Sequence, residues 1–342
     1  MPTSRSSKGL LLVENPSEIR ILFMAPYAPD SPDYLCNPYT ADGGYPRYHY
    51  ELFRRLQKLG FRIESSSKPY AVVHAGGRVD YVFSLFNRMP IKNSELFVSS
   101  YCEYLGLPYL GAAPNIRAAA EDKYITKLLA KSLGIPVPVG VPYHRGVSPL
   151  EPAPFPGPYF VKNRFGAASE GITTENLQEE WSAAKRLIES FWDEGVDVLV
   201  EEYFDGIDLT VPVVGDSAPR VLGSYHPRSD KPGNVLTHDL KLTDHLGYAE
   251  VALDANWVTE DASNLCGALG PIDYLRLDYR YEPATGKRTL LEFNICCYIG
   301  KDGPFGLAAA RDQITIDALL EHILAYSILR QGRRLNNSEG IL

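Results

Sequence analysis

Two neighbouring segments near the C-terminus combine acidic, basic and amide side chains with the alternation of β-strands. Residues 274–281 alternate apolar and charged positions, and residues 289–294 place Glu292 and Asn294 two apart. Side chains two apart on a strand lie on one face. The connection, residues 282–288, contains the proline and glycine typical of a turn. The pattern predicts an antiparallel hairpin.

The register of this hairpin decides its chemistry. In a hairpin centred on Thr285, Asp278 lies opposite Glu292 and Arg276 opposite Asn294. Paired carboxylates repel unless a cation compensates them, and all-oxygen ligands favour Mg²⁺ or Mn²⁺ over zinc. The alternative is a solvated face without a ligand. A slip of one residue would separate Asp278 from Glu292 and Asn294.

Composition limits the class of protein. The chain has 342 residues, of which 45% are hydrophobic and 22% charged, which is enough for two or three packed domains. It contains no apolar run of about eighteen residues, and residues 1–17 lack a signal-peptide core, so we expect a cytoplasmic protein without a membrane partner. The net charge of −8 argues against a nucleic-acid partner.

The five cysteines form an odd number without a C-x-x-C spacing, which favours reduced thiols. Cys296 and Cys297 directly follow the second hairpin strand. They could be core residues or line a site, and both readings stay open. No motif supplies the histidine that a cysteine nucleophile would need.

The first half of the chain predicts a disordered polar arm, residues 1–18, followed by an α/β domain, residues 19–115. Strands at 20–24 and 80–85 alternate with helical patterns, which indicates a parallel sheet. No G-x-G-x-x-G follows the first strand, which excludes a nicotinamide dehydrogenase. Residues 116–133 predict one long helix.

Two later segments have the character of nucleotide sites. The strand 159–162 ends at Lys162, and a loop of small residues containing Ser169 follows, which suits phosphate binding although no Walker A motif is present. The strand 198–204 and Asp208 could meet adenine and ribose. A plain surface loop and ordinary solvent exposure are the alternatives.

These segments together resemble the ATP-grasp superfamily, and most closely its D-alanine:D-alanine ligase branch. Each motif alone is weak, but their order and spacing agree over most of the chain. The motifs are Leu107-Pro-Tyr-Leu-Gly111, Glu121-Asp-Lys123, Val161-Lys162 with its loop, Val200-Glu-Glu-Tyr-Phe204, Arg276-Leu-Asp278 and Glu292-Phe-Asn294.

The resemblance implies an α/β (α+β) ATP-grasp fold. Its parts would be an N-terminal parallel-sheet domain (19–115), a small central domain (116–205), a C-terminal antiparallel-sheet domain (206–330) and a tail (331–342). ATP would lie between the second and third domains with two Mg²⁺ ions, or Mn²⁺. The partners would be a small-molecule acid and amine. The oligomeric state stays open, with a homodimer as one option.

The resemblance also implies roles for single residues. Phosphates would contact Lys123, Lys162 and Lys241, beside Ser169 of the small-residue loop; adenine would meet Glu201, Glu202, Tyr203 and Phe204, and ribose would meet Asp208. The metals would bind Asp278, Glu292 and Asn294, and the catalytic residues would be Arg276 and Lys241.

The implied reaction joins a carboxylate and an amine through an acyl phosphate. Two stretches depart from the ligase pattern. Residues 25–30 lack the glutamate segment that handles the first D-alanine, and residues 295–300 lack the Pro-Gly-Met-Thr-like turn that holds the second. Aromatic and basic residues at or beside these stretches indicate a larger or more aromatic substrate: Tyr27, Tyr45, Arg47 and Tyr298. A D-alanine:D-alanine ligase, a phosphotransferase and a non-catalytic nucleotide-binding protein remain alternatives.

Overall fold

The computed structural model of the protein describes residues 3–30, 45–87, 89, 91, 93–147, 149–166, 171–228, 247–253 and 256–335. Its strands are β1 (Thr3–Arg5), β2 (Leu11–Val13), β3 (Arg20–Met24), β4 (Arg62–Ser66), β5 (Tyr81–Ser84), β6 (Gly140–Tyr143), β7 (Tyr159–Asn163), β8 (Leu177–Gln178), β9 (Val198–Glu202), β10 (Ile207–Val214), β11 (Arg220–Val221), β12 (Tyr225–Arg228), β13 (Gly247–Glu250), β14 (Tyr274–Glu282) and β15 (Lys287–Asn294). Its helices are α1 (Tyr45–Lys58), α2 (Leu96–Leu105), α3 (Pro114–Glu121), α4 (Lys123–Ser132), α5 (Trp181–Asp193), α6 (Trp257–Leu269), α7 (Pro304–Arg311) and α8 (Ile316–Leu335).

The N-terminal part is built on a parallel sheet in the order β4-β3-β5. The apolar run Ile21 to Met24 is buried, as expected for a central parallel strand covered on both faces. Helix α1 buries Tyr48, Leu52 and Leu56, which recur at helical spacing. The predicted fold class, a parallel-sheet domain followed by antiparallel sheets, is confirmed.

The central part is an antiparallel sheet in the order β6-β9-β7-β8. The single helix expected over 116–133 is wrong, because the chain breaks at Asp122 between α3 and α4. The Asp122 side chain caps α4 by accepting hydrogen bonds from the backbone N–H groups of Tyr124 and Ile125. The cap places Lys123 at the first position of α4.

The C-terminal sheet runs β13-β12-β10-β14-β15, with β11 beside β10. The pair β10 and β14 matches over their lengths, from Ile207 opposite Tyr281 to Val214 opposite Tyr274. Helix α6 packs on this sheet through Val258, Ala262 and Leu265. The sheet is therefore a rigid support for the hairpin β14-β15.

The chain ends differ from the sequence prediction. Residues 3–18 are not a disordered arm, because Leu11 and Val13 are buried and their N–H groups donate to His322 and Glu321 of α8 at 2.9 and 3.1 Å. The chain closes in two helices, α7 and α8, and α8 extends five residues into the expected tail, to Leu335. Among the described residues, no helix is long and apolar enough to cross a membrane.

Candidate active site

The hairpin β14-β15 has the register that the sequence predicts on its site side. Arg276 lies opposite Asn294 and Asp278 opposite Glu292. The register then shifts, so that Tyr279 lies opposite Leu290 and Leu291 is the extra residue of a β-bulge. The bulge leaves Leu291 outside the regular pairing, next to Glu292.

The four polar side chains of this face contact one another. The Arg276 guanidinium donates to Asp278 at 2.7 to 3.1 Å, and the Asn294 amide donates to Asp278 at 2.9 Å and to Glu292 at 3.3 Å. The Thr210 hydroxyl donates to the other oxygen of Asp278 at 3.1 Å. Burial lowers the pKa of Arg276, but the Asp278 carboxylate outweighs it and raises that pKa above its ordinary value. Arg276 therefore stays charged.

The chemistry of this donor set fits a hard divalent cation. Asp278 and Glu292 supply carboxylate oxygens, and rotation of the Asn294 amide would present its oxygen beside them. Within the ranges that the structure describes, no three His, Cys, Asp or Glu side chains cluster closely enough to hold a metal. Phosphate oxygens and water would therefore have to complete the coordination, as is usual for Mg²⁺.

Lys162 lies in a buried ion-pair cluster that the sequence does not reveal. The Glu201 carboxylate binds the Lys162 ammonium at 2.6 Å with one oxygen and the Lys127 ammonium at 2.6 Å with the other. Burial lowers the pKa of Lys162 to about 7 and that of Lys127 well below its ordinary range. The carboxylate between them favours both charged forms. The Glu201 side chain thus faces lysines, and its predicted contact with adenine stays a prediction.

Lys123 lies between the loop that follows Lys162 and the hairpin β14-β15. Its ammonium donates to the carbonyl of Gly166 at 2.5 Å and lies 3.8 Å from the Glu292 carboxylate. Arg164 fixes this arrangement by two hydrogen bonds to Asp122, at 2.8 and 2.6 Å, while its carbonyl accepts from the Lys123 N–H. Lys123 is therefore next to a predicted metal ligand and to the predicted phosphate loop.

Arg280, which the sequence did not single out, organises the predicted adenine and ribose segment. Its guanidinium donates to the Phe204 carbonyl at 3.2 Å and to the Tyr203 hydroxyl at 3.0 Å, and pairs with Asp208 at 3.2 Å. Glu202, the last residue of β9, is exposed. The alternation of β14 could have indicated Arg280, since Arg276, Asp278 and Arg280 lie on one face of the strand.

Two predicted phosphate contacts, Ser169 and Lys241, lie outside the described residues. Their roles stay predictions.

The first turns of α1 meet the stretch that follows Asn294. The rings of Tyr48 and Tyr298 are 4.5 Å apart, and the N–H of Ile299 donates to the Tyr48 hydroxyl at 3.1 Å. Arg47, whose guanidinium could bind a substrate carboxylate with two hydrogen bonds, pairs with Glu51 at 2.9 Å. An incoming carboxylate would have to compete with Glu51.

The two adjacent cysteines have the character of unreactive thiols. Burial raises the pKa of Cys296 to about 12 and also raises that of Cys297. A thiol nucleophile needs the opposite shift. The Cys296 carbonyl accepts a hydrogen bond from the Asn87 amide at 3.2 Å.

The buried carboxyl of Glu95 should make the stability of the folded protein depend on pH. Burial raises its pKa from 4.5 to about 7, against the opposing effect of Arg117 at 3.4 Å. The folded protein thus holds the proton more tightly, so the contribution of Glu95 to stability is complete below about pH 4.5 and is lost as the pH rises through about 7. For Glu95→Gln, the free energy of unfolding relative to wild type should rise by about 1 to 3 kcal/mol from about pH 5 to about pH 8.

Urea denaturation of both proteins across this pH range is the measurement. Two stability curves that stay parallel would contradict the raised pKa.

Comparison with known proteins identifies the family. The chain is 27% identical over 286 residues to a D-alanine–D-alanine ligase of Glaesserella parasuis, a match covering 81% of this chain and 90% of the relative. It is 30% identical to a D-alanine–D-alanine ligase of Caulobacter sp. (strain K31), over 70% of this chain and 75% of the relative. No family model matches the chain.

The fold agrees with these relatives. A crystal structure of D-alanine–D-alanine ligase from Bacillus anthracis in complex with ATP superposes with a TM-score of 0.70 at 16% identity, covering 92% of this chain and 99% of that one. The resemblance suggested by the motifs is thereby confirmed, and the chain belongs to the D-alanine–D-alanine ligase family of ATP-grasp, ATP-dependent ligases.

Proposed function

We propose that the protein joins the carboxylate of one small molecule to the amine of another, forming an amide with release of ADP and phosphate. The observation that carries the proposal is the face shared by Arg276, Asp278, Glu292 and Asn294, with the Lys123 ammonium 3.8 Å from Glu292. Oxygen ligands for a cation and a positive charge for phosphate thus meet at one place. Phosphoryl transfer needs this combination.

The nucleotide would be held by groups on both sides of this face. Lys123 and Lys162 would contact its phosphates, together with Ser169 and Lys241, and Asp208 would bind the ribose. The segment that ends at Phe204 would meet the adenine. Arg280 would keep this segment and Asp208 in place, because its guanidinium contacts both.

The metal site follows from the donor set. Asp278, Glu292 and Asn294 would hold Mg²⁺ or Mn²⁺, in the two-ion arrangement expected for the family. The bound cation would neutralise charge on the transferred phosphoryl group.

The reaction would then proceed in two displacements. A carboxylate oxygen of the acid attacks the γ-phosphorus of ATP, and the bond to the ADP oxygen breaks. The amine nitrogen attacks the carbonyl carbon of the acyl phosphate, phosphate leaves with the oxygen of the broken C–O bond, and the nitrogen loses a proton. Arg276, kept charged by Asp278, would stabilise the negative charge of the acyl phosphate and of the tetrahedral intermediate.

The substrate side supports a pair other than two D-alanine molecules. A small zwitterion needs a partner for its ammonium and a donor for its carboxylate, and the residues 25–30 and 295–300 lack the segments that supply them. Tyr298 fills part of the second stretch, packs on Tyr48 and keeps 37% of its surface exposed. An exposed aromatic ring in this stretch suits a larger or aromatic substrate.

We therefore expect D-alanine alone to be a poor substrate. Loss of one charge-assisted contact should weaken its binding by about 10- to 150-fold. Phosphate release with ATP should be measured for D-alanine and for a panel of L-, D- and aromatic amino acids, singly and in pairs, followed by mass spectrometry of the products. Clearly faster phosphate release with D-alanine than with the other members of the panel would contradict the proposed substrate preference. It would not contradict the proposed ligase reaction.

A further inference from the structure

Lys127 lies in the buried cluster although neither the motifs nor the proposed mechanism assign it a role. It faces inward because it follows Lys123 by four residues on the same face of α4. Lys127, Glu201 and Lys162 are 3%, 2% and 5% exposed, so solvent screens their charges little.

The Lys127 ammonium contacts two protein groups. It binds Glu201 at 2.6 Å and donates to the carbonyl of Leu291 at 2.8 Å. Leu291 is the extra residue of the β-bulge beside Glu292, so its carbonyl lies outside the regular ladder. Lys127 thus joins β9, which carries Glu201, to β15, which carries the predicted metal ligands Glu292 and Asn294.

The charges of the cluster explain why a second lysine is needed. Glu201 alone with Lys162 would form a neutral pair, and the attraction of Lys162 for a phosphate would be largely cancelled. With Lys127 present and both lysines protonated, the three groups carry a net charge of one positive unit. The Glu201 carboxylate can then orient Lys162 while the cluster as a whole still attracts an anion.

We propose that Lys127 is a positioning residue for phosphate binding: it compensates Glu201 and thereby keeps the charge of Lys162 available to the nucleotide phosphates. The inference rests on the proposed contact between Lys162 and the nucleotide. It assigns the effect of Lys127 to charge, and not to the stability of the fold.

The test compares a probe with phosphates, MgADP, with adenosine, which has none. In Lys127→Gln, which can still donate to the Leu291 carbonyl, the affinity for MgADP should fall by about 10- to 100-fold while that for adenosine stays unchanged. Calorimetry measures the first affinity and an NMR titration the second. Lys127→Arg, which retains the charge, should keep the affinity for MgADP.

The double variant Lys127→Gln/Glu201→Gln gives the sharpest outcome. It removes one positive and one negative charge, so the affinity for MgADP should recover towards wild type. The measurement belongs at about pH 6, where Lys162 is protonated, because burial lowers its pKa to about 7. A residue that only stabilised the fold would give further loss in the double variant, and not recovery.

Each outcome decides between the two proposals. Unchanged MgADP affinity in Lys127→Gln, loss of adenosine and MgADP affinity together, or failure of the double variant to recover would overturn the role of Lys127. Should Lys127→Gln not fold, reduced MgADP affinity in a folded Lys127→Arg protein would also overturn it. If Lys162→Ala binds MgADP as well as wild type does, the proposed nucleotide site itself fails.

Discussion

Replacement of Asp278 by Asn, or of Glu292 by Gln, is expected to lower turnover by about two to four orders of magnitude while the fold survives. Each change removes one negative charge from the place where the cation would stabilise the transferred phosphoryl group. The effect should be on kcat more than on the unfolding transition, because both side chains lie on a face of the sheet and not in its core.

Steady-state phosphate release measures this effect, with circular dichroism as the check on folding. Glu282→Gln is the matched control. Glu282 lies on β14, as Asp278 does, but next to the turn of the hairpin, opposite Lys287. Activity near that of the wild type in either site variant would show that the hairpin is not part of the active site.

The second large effect is expected for Lys162→Ala. A buried charge-assisted contact to phosphate is worth about 1.5 to 3 kcal/mol, so nucleotide affinity should fall by about 10- to 150-fold. Asp208→Ala should weaken binding less, because a ribose hydrogen bond is worth less and the Asp208 carboxylate is already held by Arg280 at 3.2 Å.

Calorimetric titration with a non-hydrolysable ATP analogue compares the two variants directly. Equal affinities for both variants and the wild type would argue against the assigned cleft. A larger loss for Asp208→Ala than for Lys162→Ala would reverse the assignment of phosphate and ribose contacts.

The site hairpin could be predicted because its information is local. Alternation in both strands indicated that Asp278 lies opposite Glu292, but the turn pairs Glu282 with Lys287, one residue out of that register, and the bulge at Leu291 restores it. The bulge at Leu291 could not be predicted, since it depends on distant partners. The Leu290 N–H donates to the Pro136 carbonyl, and the Lys127 ammonium donates to the Leu291 carbonyl.

Lys127 shows why part of a site escapes sequence analysis. A lysine at helical spacing within residues 123–132 is typical of a solvated helix face. Its burial follows from the packing of α4 against β6 and β15, which no local pattern encodes. The break before α4 was different, because Asp122 is a strong N-cap residue and offered a signal that the apolar periodicity of 116–133 obscured.

The N-terminal residues illustrate the same limit in the fold. Four apolar residues, Leu10 to Val13, are too few to predict a strand pair in a Ser-rich segment. They are ordered because α8 supplies His322 and Glu321 as hydrogen-bond acceptors for Leu11 and Val13. Long-range contacts thus decided what local composition could not.

Amide formation through an acyl phosphate can be tested by the transfer of ¹⁸O from the acid to the released phosphate. The acid found in the substrate panel would be labelled with ¹⁸O in its carboxylate and turned over with ATP and the amine. One ¹⁸O atom is expected in each phosphate released, with amide and ADP formed in equal amounts. Unlabelled phosphate, label in AMP, or ADP formed with a phosphorylated product and no amide would contradict it.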